Sequence, residues 1–175
     1  MDSKECEYLL NHYEMVVLTL HECHKKYALI YKRLTNVLTI LNIVLGTITG
    51  TSSISIYNSN EYPNYELMNI FLVYIITILT SCQKIIDPSK KYERFRNASE
   101  EYLTMFYEIK YKTTFELQSE EDLKQYVKQL NINLEDKRVK FPFINDHIYD
   151  EYKEKMCSQK KTSKDIEIPM DEIKD

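Results

Sequence analysis

The chain has 175 residues, a net charge of −4, two glycines and four cysteines. That length suits one domain with little left for a separate large enzyme core, and the acidic balance argues against nucleic acid as the main partner. Cys6, Cys23, Cys82 and Cys157 are scattered, which argues against a disulfide framework.

The opening Met1–Glu7 segment is polar and acidic, so no signal peptide is expected. From Tyr8 onward, Leu9, His12, Met15, Val16, Thr19, Leu20, Cys23, Tyr27, Ile30 and Tyr31 recur at steps of three and four, the period of one helix face. His21-Glu22-Cys23-His24 lies on this helix. His21 and His24 can share a face, but Cys23 points away and a fourth ligand is missing, so no metal and no cofactor are expected, and the histidines read as solvated or interfacial.

Leu34 to Asn60 and Leu67 to Gln83 contain no charged residue, and only Glu61-Tyr-Pro-Asn-Tyr-Glu66 separates them. Such stretches can lie in hydrocarbon only with their backbone groups satisfied internally, which predicts a transmembrane helical hairpin with spans at about 34–56 and 67–86. The second stretch reaches only about 26 Å at about 1.5 Å per residue, so Ile85, Ile86 and a snorkelling Lys84 must complete it. Each span holds eleven Leu, Ile, Val or Phe residues, worth roughly −3 to −7 kcal/mol of insertion free energy before polar groups subtract from it.

The first span carries both glycines as Gly46-Thr-Ile-Thr-Gly50, a G-x-x-x-G pattern that lets another helix approach closely. Thr35, Thr39, Asn42, Gly46, Thr49 and Ser53 extend it into a small or polar seam, with a weaker counterpart in Tyr74, Thr77 and Ser81 of the second span. The seam reads either as packing, within the hairpin or between copies, or as the lining of a polar path formed when several copies turn it toward a common axis.

Lys25, Lys26, Lys32 and Arg33 precede the first span, Lys84, Lys90, Lys91, Arg94 and Arg96 follow the second, and the loop has no Lys or Arg. The positive-inside rule then places both termini in the cytosol, and the sequon Asn97-Ala98-Ser99 is expected to stay unmodified there. Asp87-Pro88 predicts an N-cap with proline at the first helical position. The following stripe of Tyr92, Phe95, Ser99, Tyr102, Phe106 and Ile109 predicts an amphipathic helix that pairs with the first one in coiled-coil fashion, antiparallel to it.

Ser119-Glu-Glu-Asp122 predicts a capping box, followed by a short helix with Leu123, Tyr126, Val127 and Leu130 on its apolar side. The expected organisation is a two-span helical domain over 1–130 and a C-terminal helical extension over 131–157, with a helix at about Asn145 to Met156. A disordered tail over 158–175 completes it. There is no glycine-rich phosphate loop, G-x-S-x-G or Cys-x-x-Cys, so an enzyme is not expected and no catalytic residue is assigned.

The helix entering the first span, the short outer loop, and Lys91-Tyr-Glu-Arg-Phe-Arg-Asn-Ala-Ser-Glu-Glu-Tyr102 after the second span resemble the SLATT-type two-transmembrane effector domains. The resemblance covers residues 5 to 130. It implies a non-enzymatic membrane effector that oligomerises and permeabilises or perturbs a membrane when activated, and it carries no catalytic residues. The chain departs from that family in lacking a recognisable nucleotide sensor, so a partner protein would supply activation.

The expectation is therefore an all-α, multi-pass integral membrane protein, with a transmembrane hairpin and long cytosolic amphipathic helices packed as a bundle. Its partners would be the lipid bilayer, further copies of itself and a cytosolic protein. The alternative is a membrane-anchored scaffold whose cytosolic helices bind that partner.

Overall fold

The computed structural model describes the backbone of residues 3–58, 63–117 and 119–164, and the side chains of 5–52, 67–117 and 119–158. The described residues form five α-helices: α1 Ser3–Asn58, α2 Pro63–Ile86, α3 Pro88–Phe115, α4 Glu120–Lys140 and α5 Asp146–Lys164. The chain divides into two compact units. One joins residues 1–26 to 94–175, the other is 27–93, and both α1 and α3 contribute to each.

The first unit is a four-helix assembly around the N-terminal half of α1. Its core is Cys6, Leu10, Val17, Leu20 and Cys23 of α1, Phe95, Tyr102, Met105 and Ile109 of α3, and Val127, Leu130 and Leu134 of α4. The α3 stripe follows the expected periodicity closely. On α1, however, Tyr8 is 73% exposed and Ile30 47%, while Cys6, Leu10, Val17 and His24 are buried. Val16, Thr19, Leu20 and Cys23 of the expected stripe are buried too, so α1 buries a face wider than that stripe because it is covered on several sides at once. Tyr13 donates to Asn131 of α4 at 3.0 Å, Lys110 of α3 pairs with Glu14 at 3.0 Å, and Lys26 reaches Glu151 of α5 at 3.8 Å.

Local signals set the ends of α4 and α5. The Asp122 amide donates to Ser119 Oγ at 3.2 Å, which caps α4, and Pro142 cannot continue the helix after the Phe141 amide has closed on Lys137 O at 2.9 Å. Helix α4 is longer than its expected length and runs through the anticipated boundary at 130/131. Leu134, 1% exposed, continues the Val127 and Leu130 stripe by four residues. Asn145 caps α5 by accepting from the His147 amide at 3.0 Å. That helix continues past Met156 to Lys164, so 158–164 are helical rather than part of a tail; 165–175 lie outside the described residues.

The second unit is an antiparallel hairpin of the C-terminal part of α1 and α2. Pro63 occupies the first position of α2, where its missing N–H costs nothing. At the far end of α2 a single residue, Asp87, joins α2 to α3 with a left-handed φ of 43°. Its backbone amide donates to Gln83 O at 3.0 Å and its side-chain Oδ1 accepts from the Lys90 amide at 3.2 Å, so one residue serves two helix ends. Asp is among the few non-glycine residues that tolerate this backbone region.

Two helical stretches, within Glu5–Ser52 and Leu67–Phe115, each hold a segment long and apolar enough to cross a bilayer, and neither segment is buried. Their outer surfaces are made of large apolar side chains, among them Ile40 and Ile78 at 60% exposure, Ile43 at 62% and Phe71 at 65%.

Candidate functional site

Two regions combine unusual placement with polar chemistry: the seam of the hairpin and a histidine layer in the first unit. In the hairpin, the contacting face of α1 runs Leu38, Asn42, Leu45, Thr49 and Ser52, against Asn69, Leu72, Ile76, Leu79 and Gln83 of α2. Two side-chain hydrogen bonds cross it. Asn42 Nδ2 donates to Gln83 Oε1 at 2.8 Å, and Ser52 Oγ donates to Asn69 Oδ1 at 3.0 Å. Asn42 Oδ1 is buried without a partner, a cost carried in apolar surroundings.

The small and polar seam is thereby divided. Thr35, Asn42 and Thr49 are half-buried, whereas Thr39, Gly46 and Gly50 are exposed, and a Cβ built on either glycine would meet nothing within 4 Å. Ser53 falls outside the residues whose side chains are described. On α2, Tyr74, Thr77 and Ser81 are all exposed and do not meet the α1 seam. Thr77 Oγ1 donates to Val73 O at 2.8 Å and Ser81 Oγ to Thr77 O at 2.7 Å, so each satisfies itself on its own helix. Gln83 and Asn69 were missed by sequence reasoning. They sit on α2 at the positions opposite Asn42 and Ser52, and the antiparallel pairing alone could have located them.

In the first unit, His21, Cys23 and His24 are buried at 8%, 0% and 2% exposure. All three are therefore interior, and neither histidine is solvated. His21 Nδ1 lies 2.8 Å from Ser99 O and 2.9 Å from Ser99 Oγ, while Ser99 Oγ donates to His21 O at 3.2 Å. With Glu22 Oε1 at 3.5 Å from His21 Nε2, the residue types are those of a nucleophile, a base and an orienting carboxylate. The hydrogen bonds do something else. Nδ1 donates to a carbonyl and the Ser99 hydroxyl donates to a carbonyl, so the serine has no free base, and its burial denies it a substrate. The cluster is a polar latch between α1 and α3.

Three residues along, His24 Nδ1 is 2.7 Å from Leu20 O and Nε2 is 3.3 Å from Pro142 O. Its ring sits 5.2 Å from Tyr102 and 5.8 Å from Phe95, centroid to centroid. Burial lowers its pKa, outweighing the backbone carbonyls that raise it. Cys23 faces Ile148 O at 3.9 Å, and burial pushes its thiol up to about 11, which keeps it protonated and a poor nucleophile at neutral pH. No group of three metal-ligating side chains occurs among the described residues. Comparison with protein-family models, with curated proteins and with solved structures finds no match to this chain, so the reading of function rests on these residues themselves.

Proposed function

We propose that this chain is a two-span integral membrane protein with both termini in the cytosol, and that it acts as a self-associating, membrane-perturbing effector. The observation that carries the reading is the unburied apolar surface on both long helices of the hairpin, which water would penalise at about 25 cal/mol per Å² and lipid would not. Polar groups between the two helices are mostly paired internally, as a bilayer requires. The exposed line of Thr39, Gly46 and Gly50 supports contact between copies, because it offers close backbone approach on a side that α2 leaves open. With Asn42 turned onto Gln83, any polar path through an assembly runs along that outer line. The SLATT-type resemblance of residues 5 to 130 points the same way.

The second reading is a membrane-anchored scaffold. It is favoured by the exposed Tyr107, Tyr111 and Phe115, which share one face of α3 at steps of four and would suit a protein partner.

Membrane residence is tested by alkaline carbonate extraction, where release into the supernatant would remove the whole reading. Gly46→Leu is expected to reduce crosslinked oligomers while leaving Leu45→Ile at the parental level, since a branched side chain would block backbone approach on the outer line. Dye or ion release from liposomes separates effector from scaffold: release that depends on Gly46 supports the first, and none at any protein density supports the second.

A further inference from the structure

The chain leaves α4 through Lys137-Arg-Val-Lys-Phe-Pro-Phe143, a stretch with three cations, three large apolar side chains and no acid. Val139 and Phe143 are 88% and 81% exposed, the highest values among the large apolar side chains described in the first unit. A single exposed apolar residue is ordinary, but two on one short corner, set among cations, match the residues that enter a lipid interface.

Beside the corner is a cavity of about 580 Å³, lined by Arg94, Asn97 and Glu101 of α3 and by Lys140, Phe141 and Pro142. The acids here are already engaged, since Glu101 holds Lys137 at 2.6 Å and Glu135 holds Arg138 at 3.1 Å. Asp136 and Asp146, the next acids along the chain, line no part of it. Glu101 reaches Lys140 only at 3.4 Å, and Arg94 has neither an ion pair nor a hydrogen bond among the described residues. An unpaired guanidinium and a loosely held ammonium on one cavity suit a phosphate ester.

The place of the corner in the chain points to a lipid as the source of that phosphate. The first unit gives way to the hairpin after Lys26 and resumes at Arg94. The corner packs on those same turns: Pro142 O is 3.3 Å from His24 Nε2, the Phe141 and His24 rings are 6.4 Å apart, and Arg94 itself lines the cavity. Arg94 follows Ile86, the last residue of α2, by about 12 Å of helix, comparable to the Debye length of about 8–10 Å over which an anionic leaflet acts. We propose that this corner is a contact site for anionic phospholipid, in which Val139 and Phe143 enter the interface and a headgroup phosphate sits between Arg94 and Lys140. The inference rests on the two-span reading and names the lipid class that the first unit recognises.

The chain contains no tryptophan, so Phe143→Trp makes a single fluorescent reporter at an exposed position. The full chain is reconstituted in vesicles of phosphatidylcholine alone or mixed with phosphatidylserine, each carrying nitroxide-labelled phosphatidylcholine as quencher. The Phe143→Trp reporter is expected to be quenched and shifted to shorter wavelength in the mixed vesicles. Arg94→Gln and Lys140→Gln, both exposed changes that leave circular dichroism unaltered, are each expected to lower its docked-to-undocked ratio about fivefold. Phe71→Trp, at a position 65% exposed on α2, is the companion reporter and is quenched in both lipid compositions when the hairpin spans the bilayer. Absence of quenching there removes the membrane reading and this proposal with it. With Phe71→Trp quenched, three results overturn the proposal alone: equal quenching of Phe143→Trp in the two compositions, a shifted but unquenched emission that marks a protein-covered corner, or quenching unchanged by both Gln substitutions.

Discussion

Asn42 and Gln83 pair across the hairpin through a 2.8 Å hydrogen bond, and the second polar atom of Asn42, Oδ1, is buried with nothing to accept. Gln83→Leu would leave both polar atoms of Asn42 unsatisfied and is expected to cost about 1–2 kcal/mol. Asn42→Leu with Gln83→Leu should recover most of that loss by replacing both partners with apolar groups. The check is a double-mutant cycle on reversible unfolding in detergent, in which additive single and double effects would show that the two side chains do not interact.

The Ser99 and His21 latch holds α1 to α3 by side-chain and backbone contacts in a buried setting. Ser99→Ala removes the buried hydroxyl that contacts both His21 Nδ1 and the His21 carbonyl and is expected to lower stability by about 1–2 kcal/mol. Thr104→Ala, at an exposed hydroxyl that bonds only its own helix at 3.0 Å, should change little. Chemical denaturation followed by circular dichroism distinguishes them, and an equal effect of the two substitutions would remove the latch.

His24 makes stability depend on pH. Its pKa in the folded chain lies below the ordinary 6.5 because burial disfavours the charged ring. Below pH 6.5 the unfolded chain therefore binds more protons than the folded one, and stability falls as pH drops from neutral until the folded group itself titrates. Glu101 adds a separate loss at lower pH: the hydrogen bond from Lys137 at 2.6 Å holds its carboxyl below its ordinary 4.5. Thermal unfolding at a series of pH values should show the first slope in the parent and a flatter one in His24→Gln, even though the variant starts from lower stability at neutral pH.

Cysteine accessibility checks topology. Cys157 is exposed on α5, whereas Cys6 is buried in the first unit, so a membrane-impermeant maleimide should modify Cys157 and spare Cys6 until the bundle unfolds. With both termini in the cytosol, Cys157 reacts in inside-out vesicles and not in intact cells. Labelling of Cys157 from outside intact cells would reverse the orientation.

The helical class, the two long apolar helices and the starts of α3, α4 and α5 were legible in the sequence because each depends on neighbours along the chain. Three- and four-residue periodicity marked the core face of α3, Asp87-Pro88 marked its start, and Ser119 caps α4 through its own side chain, whereas α2 begins at Pro63, inside the segment expected to be loop. Tertiary structure decided what periodicity cannot. A seam of small and polar residues can face a partner helix or the surroundings at the same spacing, and only the antiparallel pairing of α1 with α2 turned Asn42 inward and left Thr39, Gly46 and Gly50 outside. His21 meets Ser99, and His24 meets Tyr102 and Pro142, across dozens of intervening residues. Burial on several sides of α1 drew in histidines that a single-face reading leaves at the surface, since hydrophobic patterning records how much of a helix is apolar but not how many neighbours cover it.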